Sequence, residues 1–532
     1  MKTIIEILTS IVSNAFNECG YNEDLGSVIA SNRPDLCQYQ ANGAFAGAKI
    51  YKISPMIIAN KVKSILENEE IFSEIAVATP GFINLSLSDS FLVEFVNEML
   101  SDEHLGIPQI GKSDTVIIDY GGPNIAKPLH IGHLRSAIIG ETIKRMARVT
   151  GYNVIGDIHL GDWGMPIGLI IAELEVREEK LANESKIQTW ERIAHRLSID
   201  ILNDVYPFAS KKSKEDIMFK RKAQNITYEL QNGHEGYMKI WNRIVQISIL
   251  DLKKSYEKLN VEFDLWNGES DSEKYIPELI DILNQKELMY SSLGALVVDV
   301  GELTDTAPVP PIIIKKSDGS SLYSTTDLAT IIQRQREISP DKYWYVVDNR
   351  QSLHFKQVFR CAIKAGLVPQ KTEFEFLGFG TMNGKDGKPY KTRDGSVMRL
   401  SDLLNTVEAE ALCKLQNSNY SNLDDNQKIE NARKISVAAI RFGDLINNRC
   451  KDYVFDLDKF LATDGKTGSY LLYTVSRINS IQKKIGEDNP PVIESSLQVY
   501  DGVITTDKLG GLITGKNLFN KATVSNAYID RA

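Results

Sequence analysis

Residues 115–158 carry the pattern that most restricts the fold, because they read as a strand, a loop, a helix and a second strand. TVIID is a short apolar run, YGGPNIAKP is rich in Gly and Pro, and IGHLRSAIIGETIKRMARVTG has apolar side chains at helical spacing up to Gly151. NVIGDI is again strand-like. This order is a βαβ unit, so the sequence predicts a parallel sheet covered by helices.

The regions around this unit predict an α/β protein of three domains. Residues 1–108 mix amphipathic helix with short strands and predict an N-terminal α+β domain, which ends at the loop HLGIPQIGKSD. Residues 109–400 predict a Rossmann-like catalytic domain, with a helical insertion over about 165–290. Residues 401–532 predict an all-helical domain that is truncated or divergent after Lys484, where a tail rich in Gly, Pro and Thr follows.

Composition restricts the class of protein further. A hydrophobic content of 42% with 25% charged residues is typical of a globular protein. The five cysteines form no CxxC pair, which indicates neither a disulfide framework nor a cysteine zinc site and favours the cytoplasm. No run approaches the roughly 18 apolar residues of a membrane span. The net charge of −9 argues against unselective coating of nucleic acid but allows a local basic face.

Residues 119–136, DYGGPNIAKPLHIGHLRS, hold the most informative set of chemical groups. They lack the GxGxxG of dinucleotide-binding turns, so hydride transfer is not supported. We expect the loop to deliver His130 and His133 to the first turn of the helix, where free N–H groups and the helix dipole favour phosphate. Gly132 would leave space for a flat ligand, and Lys127 would meet negative charge. The segment therefore predicts a nucleoside triphosphate site.

The same histidines allow other interpretations. An HxxH fragment at a helix start is compatible with a pair of metal ligands or with two solvated imidazoles. His159, which opens HLGDWG after the second strand, would then be a third zinc ligand. The sequence offers no evident fourth ligand, so we expect no metal site of this kind.

PNIAKPLHIGHLRS resembles the HIGH signature of class I aminoacyl-tRNA synthetases, in the extended form of the arginyl-tRNA synthetase family, where a lysine precedes the first histidine by three residues. Further blocks that resemble the family follow in its order, nearly continuously from residue 1 to about 484: RPDLCQYQANGAFAGAK, TPGFINLSL, HLGDWG, SLYSTTDLAT, YVVDNRQSLHFKQVF, GFGTMNGKDGKPYKTRDG and RFGDLINNRCKDYVFDLDKF. The resemblance implies an enzyme that activates arginine with ATP and magnesium and charges tRNA(Arg). It also implies a monomer with an N-terminal domain that touches the tRNA elbow and a C-terminal domain of the anticodon-binding type.

The resemblance also implies site residues. Arginine would be bound by Asp119, Asn124, His133, Tyr323, Asp327 and Gln351. ATP would be bound by Lys127, His130, Gly132, His133, His354 and Lys391, and catalysis would depend on Lys127, His130, His133, Lys391 and Arg393. A planar, forked guanidinium requires carboxylates, and Tyr323 and Asp327 are spaced to share one helix face. The residues alone also allow a core tyrosine beside a helix-capping aspartate.

Two segments depart from the family pattern. The loop YKTRDG carries KTR where related enzymes carry KMSKS, so Lys127 would supply the missing charge; by itself the loop also reads as a polar surface hairpin. Near the end, Lys466 and Ser469 stand where relatives usually have Asn and Pro, and the helical domain stops early.

The divergent end leaves several hypotheses open. One is that the end is a divergent but working variant. A second is that the protein is a paralogue that charges tRNA loosely, and a third is that it makes arginyl-adenylate for another acceptor. A non-catalytic tRNA-binding relative and a small nucleotidyltransferase that shares only the HxGH phosphate site are alternatives from other classes. The retained site residues and the later blocks argue against these last two.

Overall fold

The computed structural model describes residues 1–127, 129–179, 186–317, 322–384, 387, 398–417, 423–462 and 464–485. The chain divides into two compact units. The first comprises Met1–Ile110, Val149–Gly151 and the described residues from Leu471 on, and the second comprises Gly111–Arg148 and Tyr152–Tyr470. Within the described ranges, no helix is both long and apolar enough to cross a lipid bilayer.

The first unit begins with an amphipathic helix, α1 (Ile4–Glu18), as the sequence predicts. The Thr3 hydroxyl accepts a hydrogen bond from the Glu6 amide at 3.2 Å, and the Glu6 carboxylate accepts one from the Thr3 amide at 2.7 Å. This capping box satisfies two amides at the helix start. The elements that follow are β1 (Val28–Ala30), β2 (Tyr39–Ala41), α2 (Gly43–Tyr51), α3 (Pro55–Leu66), β3 (Phe72–Ala78), β4 (Phe82–Leu87) and α4 (Asp89–Ser101). The strands form an antiparallel sheet in the order β1-β2-β4-β3, which confirms the predicted α+β fold.

The second unit contains the predicted βαβ unit. It consists of β5 (Thr115–Tyr120), α5 (Gly132–Val149) and β6 (Asn153–Asp157), and the two strands pair in parallel. The predicted parallel sheet is therefore confirmed at its first crossover.

Helices follow β6, where the sequence predicts a helical insertion. They are α6 (Met165–Glu179), α7 (Lys186–Arg196), α8 (Ile199–Glu215), α9 (Ile217–Gln231), α10 (Glu235–Lys258), α11 (Glu269–Ser272) and α12 (Ile276–Gln285). Three strands then form a separate antiparallel sheet: β7 (Met289–Ser292), β8 (Ala295–Val298) and β9 (Ile312–Lys315). Because β7 and β8 are joined by a turn of two residues, they can pair only antiparallel and do not enter the main sheet.

The chain then completes the parallel sheet. After α13 (Tyr323–Glu337) come β10 (Lys342–Val346), α14 (Ser352–Ala365) and β11 (Glu373–Phe376). The strand order is β11-β10-β5-β6, so β5 leads to β6 on one side whereas β10 leads to β11 on the other. Ligands of open α/β sheets bind beyond the carboxyl ends of the strands at such a reversal.

Side chains of β5 alternate between two cores. Val116 and Ile118 pack in a cluster that includes the apolar face of α5, whereas Ile117 packs with residues of α13 and α14. Since successive side chains of a strand point to opposite faces, Asp119 lies on the same face as Ile117. The acidic group is thus directed towards α13.

The end of the second unit is mainly helical, with one difference from the prediction. A short strand, β12 (Met382–Asn383), is followed by α15 (Leu400–Gln416), α16 (Asp425–Leu445), β13 (Tyr453–Val454) and α17 (Leu457–Phe460). The second unit ends at Tyr470, in the first turn of α18 (Gly468–Ile485), and the residues of α18 from Leu471 on belong to the first unit. β13 pairs in parallel with β12, so the expectation of helices alone after residue 401 is wrong at these two residues. A strand of two residues is too short for a periodic pattern, which is why the sequence did not reveal it.

Candidate active site

A cavity of about 690 Å³ lies beyond the carboxyl ends of β5 and β10, where the strand order reverses. Its wall is contributed by the loop after β5 and by the starts of α5, α13 and α14. The predicted site residues that line it are Asp119, Asn124, His130, Gly132, His133, Tyr323, Asp327, Gln351 and His354. Residues from distant parts of the sequence therefore share one space.

Of the three predicted cationic residues, only Lys127 lies in the described part of the chain. Lys127 is not among the lining side chains, and its Nζ lies 5.0 Å from the centroid of the Tyr206 ring. Its charge nevertheless contributes to lowering the pKa of both His130 and His133, so it is close to the histidines. The other two predicted cations, at positions 391 and 393, lie outside the described residues.

The loop after β5 is held against the segment that follows β6. The Ile125 amide donates to the Gly161 carbonyl at 3.1 Å, and the Gly161 amide donates to the Pro123 carbonyl at 3.0 Å. A Cβ at position 161 would lie 2.6 Å from Oδ1 of Asn124, so a larger residue here would displace the Asn124 side chain. The contact fixes Asn124 at the cavity wall.

His130 and His133 face each other, with ring centroids 3.9 Å apart. Nδ1 of His133 accepts a hydrogen bond from the His130 amide, and Nδ1 of His130 accepts one from the Gly132 amide, both at 3.1 Å. Burial lowers the pKa of His133 to about 3, and burial together with the charge of Lys127 lowers the pKa of His130. Both imidazoles are therefore neutral near pH 7. Because each Nδ1 accepts, each Nε2 carries the proton and can donate to an anion.

Gly132 has an additional neighbour that the sequence did not suggest. A Cβ at this position would lie 2.8 Å from Cε1 of His130 and 2.9 Å from its Nδ1. Glycine at position 132 therefore makes room for the imidazole of His130. The expected space for a flat ligand is in part filled by this ring.

Asp119 is paired with a buried arginine that sequence reasoning missed. Nη2 of Arg334, in α13, donates to Oδ2 of Asp119 at 2.6 Å and to Oδ2 of Asp157 at 2.7 Å. Burial raises the pKa of Asp119, and the guanidinium of Arg334 opposes that rise. One oxygen of Asp119 is thus engaged before any ligand arrives. The available signal was the position of Arg334, seven residues after Asp327 and hence on the same helix face.

Asp327 and Glu269 form a second acidic part of the cavity wall. Oδ2 of Asp327 lies 2.5 Å from Nε2 of His354, the histidine that the family resemblance assigns to ATP. Glu269, which sequence reasoning missed, lines the same cavity, and burial followed by the charges of Asp162 and Asp327 raises its pKa to about 7. Tyr323 is 68% exposed and belongs to the same wall. A buried carboxyl group whose pKa is raised by neighbouring carboxylates favours a cationic ligand.

His159 also lines the cavity, and its two ring nitrogens are buried without a hydrogen-bond partner in the part of the chain that the structure describes. Across those same ranges, no group of three or more His, Cys, Asp or Glu side chains is arranged to hold a metal ion. His130, His133 and His159 do not form such a group there.

Two arginines of the wall were not singled out from the sequence. Arg350 makes a two-armed contact with Asp348, with Nε to Oδ1 at 2.8 Å and Nη2 to Oδ2 at 2.6 Å. Arg135 lies in the first turn of α5 after His133 and is buried. Arginines inside regular motifs carry no local signal that separates a buried role from a solvated one.

Comparison with known proteins agrees with this architecture. Residues 95–457 match the family model described as tRNA synthetases class I (R), catalytic domain, and residues 3–87 match the one described as arginyl tRNA synthetase N terminal domain. An arginine–tRNA ligase of Agathobacter rectalis is 47% identical over 100% of this chain and 90% of its own length, and one of Alkaliphilus oremlandii is 47% identical over 100% and 89%. Both alignments continue past Lys484. The crystal structure of arginyl-tRNA synthetase from Plasmodium falciparum matches with a TM-score of 0.78 at 24% identity, over 98% of this chain and 88% of that one, and so has the same fold.

The two family models cover most of the blocks on which the resemblance rests, and they include the loop after β5, the start of α5 and the carboxylates of the cavity. The predicted family is confirmed. The chain belongs to the class I arginyl-tRNA synthetases.

Proposed function

We propose that the cavity activates arginine with ATP and that the arginyl group is then transferred to tRNA(Arg). The observation that carries this proposal is the sharing of one cavity by three carboxylates, those of Asp119, Glu269 and Asp327, and by the two neutral imidazoles of His130 and His133. A cationic side chain and a triphosphate have opposite charges. A site for both therefore needs an acidic wall and an anion-binding wall around one space.

Glu269 and Asp327 receive the guanidinium of the substrate. A guanidinium is planar and offers five donors in a fixed fork, so two neighbouring carboxylates suit it better than they suit the compact ammonium of lysine. Tyr323, at the rim of the same wall, offers a phenol face on which a guanidinium stacks.

The remaining polar groups complete the arginine site. Asp119 and Gln351 complete the acidic, hydrogen-bonding lining of the arginine site. Asn124 and His133 orient the amino and carboxylate groups. Because backbone hydrogen bonds to Gly161 hold the backbone on both sides of Asn124, this end of the site is formed before arginine binds.

Adenylate formation depends on donors at the start of α5. An oxygen of the arginine carboxylate attacks the α-phosphorus of ATP, and the bond from that phosphorus to pyrophosphate breaks. The Nε2 protons of His130 and His133 donate to the phosphate oxygens on which charge grows, and Gly132 makes room for this arrangement. Donors that are already oriented stabilise such charge without reorganisation. His354 joins the ATP side to Asp327.

Positive charge for the leaving pyrophosphate comes from Lys127, Lys391 and Arg393. Magnesium arrives bound to the phosphates of ATP, as is usual for Mg²⁺ at phosphate sites. In the second step a hydroxyl of the terminal ribose of the tRNA attacks the carbonyl carbon of arginyl-adenylate, and AMP leaves.

The outer regions serve the tRNA. Residues 1–108 contact its elbow, and the helical residues from 401 on form a region of the anticodon-binding type. Residues 109–400 between them form the catalytic domain. The protein acts as a monomer in the cytoplasm.

Arginine-dependent exchange of pyrophosphate into ATP, with and without tRNA(Arg), tests the proposal together with the charging of tRNA by labelled arginine. We expect exchange and charging with arginine and neither with lysine. Exchange without charging would mean that the protein makes arginyl-adenylate for another acceptor. No exchange under either condition would mean a non-catalytic tRNA-binding relative.

A further inference from the structure

A buried ion pair joins the first turn of α5 to α16. Nε of Arg135 donates to Oδ1 of Asp444 at 2.9 Å, and the side chains of Arg135 and Asp444 are 2% and 0% exposed. The two residues are 309 positions apart in the chain. The pair therefore connects the helix that carries the cavity histidines to the helices of the C-terminal part of the second unit.

The guanidinium of Arg135 holds two further segments. Nη1 donates to the carbonyl of Gly380 at 2.5 Å and to that of Lys451 at 3.1 Å. Its Cζ lies 5.0 Å from the centroid of the Tyr453 ring, and the Tyr453 hydroxyl donates to Oδ1 of Asp444 at 2.8 Å. One side chain thus ties together α5, the segment before β12, the segment before β13, and α16.

These segments are part of the cavity or adjoin it. Arg135 follows His133 by two positions, and residues 380–382 line the cavity wall. β12 begins within this wall segment and directly precedes the part of the chain that contains Lys391. A shift of α16 relative to α5 would therefore move the wall segment 380–382 relative to the histidines.

The packing around the pair leaves little freedom for such a shift. A Cβ at position 380 would lie 2.4 Å from the carbonyl carbon of Lys451, and one at position 443 would lie 2.6 Å from the ring of Phe460. Glycine is needed at both places because the backbones and rings approach so closely. These close contacts leave little room for the wall segment to move relative to the helices.

Stability alone is a poor explanation for the pair. A buried ion pair loses the hydration of both ions and often contributes no net stability, and its best-attested use is to fix one arrangement of elements. Oδ2 of Asp444 is buried and has no hydrogen-bond partner in the described part of the chain, so the carboxylate is not fully satisfied. An incompletely satisfied ion pair favours a positioning role.

We infer that Arg135 and Asp444 are positioning residues that hold the histidines of α5, the wall segment 380–382 and α16 in one arrangement, so that the C-terminal helices control the rate of adenylate formation. The inference rests on the proposed function, because it concerns the rate of that reaction. It assigns the C-terminal helices a role in the chemical step that is separate from contact with tRNA.

The test compares Arg135→Lys and Asp444→Asn with the wild type in arginine-dependent pyrophosphate exchange, with rates expressed per active site titrated by adenylate formation. Arg135→Lys keeps the charge but cannot reach two carbonyls and a carboxylate with a fork. We expect kcat to fall about 10- to 100-fold in both variants, because small displacements of reacting groups have effects of this size. The KM for arginine should change less than about twofold, because the guanidinium carboxylates are not touched.

Glu430→Gln is the matched control, since Glu430 lies on α16 and its partner Lys434 is exposed. It should leave kcat and KM at wild-type values. Tyr453→Phe removes only the hydroxyl, which reaches Oδ1 of Asp444 and also Sδ of Met382 in the wall segment. It should lower kcat in the same direction even if the two charged variants fail to fold.

Two results overturn the inference. One is a lower melting temperature of Arg135→Lys or Asp444→Asn with an unchanged kcat per titrated site, which is the result of a purely structural pair. The other is a Tyr453→Phe variant with wild-type kcat while the charged variants fail to fold. A wild-type protein without arginine-dependent exchange would instead refute the proposed function, so the two failures are distinguishable.

Discussion

Glu269 should make the binding of arginine depend on pH. Its pKa is raised to about 7 by burial and then by the charges of Asp162 and Asp327. Only the ionised carboxylate attracts a guanidinium, so the proton must leave before arginine binds. The ionised fraction is about one half at pH 7 and about one eleventh at pH 6. The KM for arginine should therefore rise about fivefold between these pH values, and the KM for ATP should not.

Glu269→Gln should remove this dependence. Loss of a charged hydrogen-bond partner costs about 1.5–3 kcal/mol, so the KM for arginine should increase roughly 10- to 150-fold at pH 8 and stay nearly flat down to pH 6. Pyrophosphate exchange measured across this range is the assay. Glu273→Gln is the control, because Glu273 is also partly buried with a raised pKa but does not line the cavity. A wild-type KM that is constant from pH 6 to 8, or a pH-dependent KM in Glu269→Gln, would refute the reasoning.

Glu269 should have the opposite effect on stability: its ionised form favours arginine binding but destabilises the ligand-free protein. The folded-state pKa of Glu269 lies above the ordinary value of 4.5, so its favourable contribution is complete below that value and is lost as the pH rises through about 7. The shift corresponds to about 3 kcal/mol. Without ligand, Glu269→Gln should therefore melt at a higher temperature than the wild type at pH 8, although it binds arginine less well.

Three further substitutions test other parts of the site. His133→Asn should lower kcat of pyrophosphate exchange about 10²- to 10³-fold, as loss of an oriented donor does; an unchanged kcat would contradict the assigned role as a phosphate donor. Arg334→Met should lower the free energy of unfolding by about 3–5 kcal/mol in urea titration, because two buried carboxylates lose their partner; equal stability would show that they are solvated. Gly161→Ala should raise the KM for arginine, since its Cβ would displace Asn124, and an unchanged KM would exclude that contact from binding.

Local patterns predicted much of the fold. The crossover of β5, α5 and β6 was visible because apolar spacing and Gly–Pro content change abruptly along residues 115–158. The amphipathic helix α1 and the helical insertion after β6 were visible from the same kind of apolar spacing. β13 was not, because its two residues become a strand only through pairing with β12, and pairing between distant segments has no local signature.

The site was predicted less completely than the fold. Motif resemblance supplied the residues that the cavity brings together, such as Asp119, His133 and Asp327. It did not supply Glu269, whose raised pKa arises from burial and from carboxylates in other elements. Arg334 was missed because its partners are distant in sequence and a charged residue in a helix usually faces solvent.

The contact between Arg334 and Asp119 determines which carboxylates of the cavity can discriminate between amino acids. The protein supplies a guanidinium of its own to this carboxylate, so the ligand cannot grip Asp119 with both arms of its fork. Under the proposed function, rejection of citrulline or ornithine then depends on the other two carboxylates that line the cavity, Glu269 and Asp327. An engineering effort aimed at a new amino acid would randomise those two positions and keep Asp119 with its resident arginine.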